Sequence, residues 1–170
     1  MQEDAQRIRQ VLVKRLDKFK LQLNEDKTKL VSFNKKLAQQ GIRQETFDFL
    51  GFTFYLGESK SGRIIPKLKT RAKTMKTKLN RVTEWIKKVR NKISLPLIWK
   101  TLIAKLRGHV QYYGVSHNSD AVKSFLYGAR RIVFKWLNRR SQRKSFTWEK
   151  YALFEAANLL PTVKIVHRLF

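Results

Sequence analysis

TRAKTMKTKLNRVTEWIKKVRNKI, residues 70–93, carries Met75, Leu79, Val82, Ile86, Val89 and Ile93 at steps of 4, 3, 4, 3 and 4. An α-helix turns once in about 3.6 residues, so this spacing lines all six on one face. The polar side of the stretch is almost wholly cationic: residues 67–92 hold eleven Lys and Arg and one acid, Glu84. A solvated helix normally pairs opposite charges three or four residues apart. This one lacks the acids to do so. The stripe predicts a helix packed against others. The uncompensated face predicts a phosphate-tracking surface, with Lys73, Lys76, Lys78, Lys87, Lys88 and Arg90 turned to solvent or to the rim of the bundle.

The pattern continues toward the C-terminus. Pro96 suits a helix start, and Ile98, Leu102, Leu106, Val110 and Tyr113 mark one face over 97–113, with Gly114 at the C-terminal cap. Asn118-Ser119-Asp120 offers an N-cap for a third helix over 120–139, whose face is Val122, Phe125, Leu126, Ala129, Val133, Trp136 and Leu137. Leu79, Val82, Ile86, Leu102, Leu106, Phe125 and Val133 are the expected core. Residues 147–170 open on a Thr147 cap and a short helix and break at Pro161.

Toward the N-terminus the period changes. Residues 3–19 predict an amphipathic helix through Ile8, Val11, Leu12, Leu16 and Phe19, with Glu3 and Asp4 at its positive end. Residues 21–33 alternate around Asn24-Glu25-Asp26 and read as strand, turn, strand. Residues 47–56 read as one strand with both faces apolar, the turn 58–62 returns the chain through 63–65, and Pro66 ends or edges the return strand. The fold class is therefore α+β: a partial β-hairpin layer with one helix, followed by a basic three-helix bundle. Residues 1–66 carry 13 basic and 8 acidic side chains, whereas 67–170 carry 25 and 4. That step places the expected boundaries at 1–66, 67–146 and a tail, 147–170.

Over all 170 residues, 38 basic side chains against 12 acidic give +26. Self-repulsion of that size calls for a polyanion partner, and nucleic acid is favoured over an anionic membrane. Apolar residues at 42% provide for a core, which separates the chain from a disordered polycation. With no cysteine, disulfides and thiolate metal sites are excluded. The apolar runs fall short of a span of about 20 residues, and the N-terminus is no secretory signal, so the expected location is cytoplasmic with no membrane partner.

Three clusters are candidates for nucleic-acid contact. The first is the basic face already described. In the second, Arg107-Gly108-His109-Val110-Gln111-Tyr112-Tyr113, cationic and aromatic groups interleave as they do where unpaired bases stack. On a purely structural reading Tyr112 or Tyr113 closes the core and Gly108 permits close helix packing; Tyr113 is assigned to the core, leaving Arg107 and His109 as surface candidates. The third is Arg130, Arg131, Arg139 and Arg140, with Trp136 assigned to the core. His109, His117 and His167 have no ligand spacing, and neither a phosphate loop nor a nucleophile motif is present. The residues point to a binding module.

Leu23-Asn24-Glu25-Asp26-Lys27-Thr28, Phe49-Leu50-Gly51-Phe52 and Leu106-Arg107-Gly108-His109-Val110-Gln111-Tyr112-Tyr113 resemble, in order, three motifs of group II intron reverse transcriptases/maturases. These are the palm L-N-x-x-K-T stretch, the F-L-G-F hairpin and the L-R-G-W-x-x-Y-Y signature of the maturase-specific region. The resemblance implies the end of the palm, then the thumb and maturase region, binding structured group II intron RNA and a DNA primer or template. It places Lys27 near an incoming nucleotide and makes Phe49, Leu50, Gly51 and Phe52 primer-grip-like. His109 stands where the family most often has Trp. The family's Tyr-Ala-Asp-Asp motif would precede residue 1, so the carboxylates that hold two Mg²⁺ ions are expected to be absent, with Mg²⁺ entering only if a catalytic half completes the palm.

Four readings follow: an RNA-binding maturase-type fragment assisting splicing or mobility, the C-terminal half of a split RNA-directed DNA polymerase needing an N-terminal polypeptide, a non-functional remnant, or a basic DNA-architectural protein. On the first, the pure chain shows no template-directed DNA synthesis. Primer extension that disappears on Lys27→Ala would contradict that expectation.

Overall fold

Burial of the 70–93 stripe organises the larger part of the molecule. The computed structural model describes residues 2–140 and 147–169. The chain divides into two compact units, Met1–Glu45 and Thr46–Phe170.

In the first unit, α1 (Gln2–Asp17) has the predicted amphipathic sequence, with acids in its first turn and bases in its last. Its apolar face is not covered: Ile8, Val11, Leu12 and Phe19 are exposed, and no described residue before Thr46 is buried. The strands expected within 21–33 do not form. Asn24 instead caps a 3-10 turn, Glu25–Lys27, by accepting from the Lys27 N–H at 3.0 Å. Leu21 and Leu30 are exposed on either side of it. Alternation specifies a strand only where a partner supplies the ladder, and none is present among the described residues. A short helix, α2 (Lys35–Gln39), follows, with the Asn34 side chain accepting from two backbone N–H groups.

The second unit opens with a three-stranded antiparallel meander, β1 (Phe47–Phe49), β2 (Phe52–Glu58) and β3 (Ile64–Thr70). The single strand expected over 47–56 is two strands. Leu50 (φ 49°) and Gly51 (φ 83°) both take left-handed backbone, which matches the twist of a two-residue hairpin turn. Gly51 is required twice over, because a Cβ there would stand 2.8 Å from the Tyr113 hydroxyl. The turn also reverses the side-chain phase, so of residues 47–56 only Phe52 is buried, and the expected two-sided cover is not observed. Pro66 pairs with Leu56 in the middle of β3, an edge strand where a missing N–H is tolerated. The step in charge near Pro66 therefore falls inside a strand.

Four helices follow: α3 (Ala72–Val89), α4 (Leu95–Tyr113), α5 (Ser119–Leu137) and α6 (Trp148–Ala157). The first three match the expected bundle. Val82, Ile86, Leu102, Leu106, Phe125 and Val133 are buried, and Leu79 packs half-buried against them. Gly128 on α5 lets α3 approach, since a Cβ there would lie 3.1 Å from Leu79 Cδ2. The structural reading of Gly108 as a close-packing residue does not apply, because a Cβ at Gly108 meets nothing within 4 Å. The tail is more than a tail. Tyr151 of α6 is fully buried in the main core, and the Trp99 indole N–H donates to the Asn158 carbonyl at 2.8 Å.

A second, smaller core of Phe52, Leu68, Val110, Tyr113, Val115 and Val122 joins the sheet to the helices. Asn118, expected as an N-cap, makes no cap bond. It is buried, accepts from the Thr70 N–H at 2.7 Å and donates to the Tyr113 carbonyl at 2.8 Å, tying the end of β3 to the end of α4. Gly114 caps α4 with ordinary φ, so space decides its identity: a Cβ would collide with the Lys164 and Val110 carbonyl oxygens. The incoming segment bonds there, with the Val166 N–H donating to the Gly114 carbonyl at 2.6 Å.

Two alanine substitutions should therefore act oppositely. Gly114→Ala should destabilise by about 1–3 kcal/mol through overpacking. Gly108→Ala should stabilise by up to about 1 kcal/mol, the helix-interior difference between the two residues. Thermal unfolding of both variants checks this, and a Gly108→Ala loss equal to that of Gly114→Ala would contradict the space argument.

Candidate nucleic-acid interface

Turning Val82 and Ile86 inward leaves the polar side of α3 no choice of direction. Lys73, Lys76, Lys87 and Lys88 are exposed, whereas Lys78 and Arg90 flank the buried stripe and are half-buried. Lys78 lies with Nζ 5.1 Å from the centre of the Tyr113 ring. Burial, and secondarily the Arg81 charge, lower its pKa from the ordinary lysine value. Glu84, the one acid on this helix, holds Lys87 at 3.0 Å.

At the far end of α3 the cations converge on one indole. Lys87 Nζ, Arg90 Cζ and Arg139 Cζ lie 5.1, 4.8 and 5.1 Å from the centre of the Trp136 ring. Such contacts hold cations against a ring face. Arg140 reaches the same end of α3, donating to the Ile93 carbonyl at 3.4 Å. Trp136 is half-buried and so only partly the core residue expected. Sequence reading named these cations separately and missed their common floor. The one available signal was a tryptophan flanked by bases on a helix that had to pack on α3.

The other sequence candidates separate. Arg130 pairs with Glu155 at 2.6 Å and lies 5.8 Å from the Trp148 ring, which fastens α6 to α5. Arg131 is exposed beside Tyr127, at 5.7 Å from its ring. Arg131, Lys135 and Arg139 rim a groove of about 490 Å³ floored by Ile132, Phe134 and Trp148. Arg107 is exposed on α4 at the edge of a groove lined by Trp99, Ile103 and Phe154. Lys27 ends the 3-10 turn of the first unit.

Phe49, Leu50, Gly51 and Phe52 form the tight turn between β1 and β2. The Tyr112 hydroxyl donates to the Leu50 carbonyl at 2.9 Å, and Arg71 binds Asp48 at 2.8 Å, so the tip is braced on both sides. Phe49 and Leu50 are exposed on the wall of an apolar cavity of about 660 Å³ whose floor includes Gly108.

His109 is not a surface residue. It is buried and stacks on Phe125, with centroids 3.5 Å apart, and on Tyr113 at 4.6 Å. Neither ring nitrogen finds a partner among the described residues. Burial, then the nearby Lys78 charge, push its pKa down to about 4. The slot takes a flat ring and gives nothing to a charged one. Among the described residues, no three acidic or histidine side chains converge where a metal ion could sit. Among the same residues, no helix is long and apolar enough to cross a membrane.

Residues 72–154 match the family model of the group II intron, maturase-specific domain. No curated protein and no solved structure matches. The match runs from the start of α3 into α6 and so includes the basic face, the Trp136 cluster and the His109 stack.

His109 sets a pH dependence with a definite sign. Its folded pKa, about 4, lies below the ordinary 6.5, so the unfolded chain binds the extra proton first. Stability is full above about pH 6.5 and falls as pH drops toward 4. Between pH 7 and pH 5 the loss should be about 2 kcal/mol. His109→Phe, which fits the stack without titrating, should remove most of that slope. Denaturant titrations at the two pH values measure it, and an unchanged slope would mean that other groups carry it.

Proposed function

We propose that this chain, in which residues 72–154 are a group II intron maturase-specific domain, binds structured intron RNA and assists its splicing or mobility. The observation that carries the reading is the outward face of α3, where core packing fixes a row of cations with almost no acids between them. Long-range attraction follows net charge, and residues 67–170 hold 25 basic against 4 acidic side chains. Each phosphate neutralised releases condensed counterions, which supplies affinity without reading sequence. Because the cations stand on packed helices, a folded RNA meets them at fixed spacing, which favours one shape of backbone over others. Charge alone would serve DNA equally; the maturase-specific domain is what favours RNA.

A second reading is supported by one observation. Within its own unit the apolar face of α1 is uncovered and no described residue is buried, as expected of a face that something outside the unit covers, and a separate polypeptide would serve. On that reading the chain is the C-terminal half of a split RNA-directed DNA polymerase. Lys27 and the hairpin tip would then act beside DNA primer and template, and Mg²⁺ would be held by carboxylates from the partner.

If about six cations neutralise phosphates, log affinity should fall against log salt with a slope near −4 to −5. Replacing exposed Lys73, Lys76 and Lys88 together with Ala should flatten the slope by about 2–3 and leave the thermal midpoint near that of the parent. Binding of a structured intron RNA at several salt concentrations tests this. An unchanged slope and affinity would reduce the charged face to a solubilising one.

A further inference from the structure

We infer that the cations gathered on Trp136 form one discrete seat for a phosphodiester group of the RNA, with Trp136 as the positioning residue. This deepens the RNA-binding reading and rests on it.

The seat lies where α3 and α5 end. Arg90 is the C-cap of α3, and Arg139 follows the C-cap of α5, Asn138. Helix C-termini attract cations, and that is the competing structural account. Its magnitude is too small. Two helix ends offer about −0.5 charge each, and Glu84 adds one more negative charge. Lys87, Arg90 and Arg139 already exceed that total, and exposed Lys88 and Arg140 stand on the same two helix ends. A cluster of like charges persists in a stable fold when an anion offsets it.

A second observation points the same way. Arg90 is half-buried as a residue, and its enclosed Nη1 finds no acceptor among the described residues. A guanidinium donor without an acceptor is costly, and the group that suits its planar fork is a phosphate or a carboxylate. Glu84, the one acid of α3, is already bound to Lys87. A phosphodiester group beside the half-buried Arg90 side chain would offset its charge together with those of Lys87 and Arg139. The indole contributes position: contact with all three cations fixes their spacing before the ligand arrives, which reduces the ordering that binding would otherwise require.

Spacing and charge are separable by mutation. Arg90→Lys keeps the charge and removes the fork. Trp136→Leu keeps every charge and removes the floor. Lys60→Gln, in the exposed turn between β2 and β3, removes a full charge away from the seat. Affinity of the full chain for a structured intron RNA is measured at one moderate salt concentration, with circular dichroism on each variant. Arg90→Lys, which loses a charge-assisted contact, and Trp136→Leu, which leaves the three cations without a common ring, should each bind about tenfold more weakly. Lys60→Gln should stay within about twofold of the parent. Arg90→Lys carries the test if Trp136→Leu unfolds. Parent-like binding by Arg90→Lys, or an equal loss in Lys60→Gln, would overturn the seat while leaving RNA binding in place. Failure of the parent chain to bind RNA would remove both readings.

Discussion

The packing of α3 on α5 through Val82, Ile86, Ala129 and Val133 is the constraint on which the rest depends. Once those side chains are buried, the orientation of the helix is fixed, and each basic residue on it is assigned a direction. Gly128 sets how near the two helices come. The same contact brings the ends of α3 and α5 together and so places Arg90 and Arg139 over one ring. A surface of this charge would otherwise repel itself apart. Apolar burial, at roughly 25 cal/mol per Å², is the force large enough to hold it.

The smaller core shows how differently two buried polar side chains can be handled. Asn118 has its donors and acceptor satisfied by Thr70 and Tyr113, and it joins the sheet to the helices. His109 has neither ring nitrogen satisfied among the described residues and survives as an aromatic disc between Phe125 and Tyr113. The first arrangement specifies the fold. The second tolerates a residue whose protonation the surroundings oppose. A ring is what the site selects.

The two units also differ in how they use apolar residues. Beyond Thr46, the helical stripes close on one another and on α6, whose Tyr151 fills the main core. Before it, α1 has an equally regular stripe that nothing in its own unit buries. A regular period shows that a face is meant to be covered and is silent about what covers it.

Local pattern by itself determined a good deal: the α+β class, the three bundle helices nearly to their ends, most of the core, and a cationic surface with too few acids. These are properties of consecutive residues, and a 3.6-residue period expresses them directly. It misread 21–33 as strands because alternation is blind to whether a partner exists, and 47–56 as one strand because the left-handed turn at Leu50-Gly51 reverses the phase. It kept His109 as a surface candidate and offered close packing at Gly108, although both depend on what a neighbouring helix presents. Tertiary structure alone decided which cations act together. Arg130 became an ion-pair brace, while Lys87, Arg90 and Arg139 met on Trp136. Those three are brought together by residues almost fifty positions apart, and only the packing of two helices makes them neighbours.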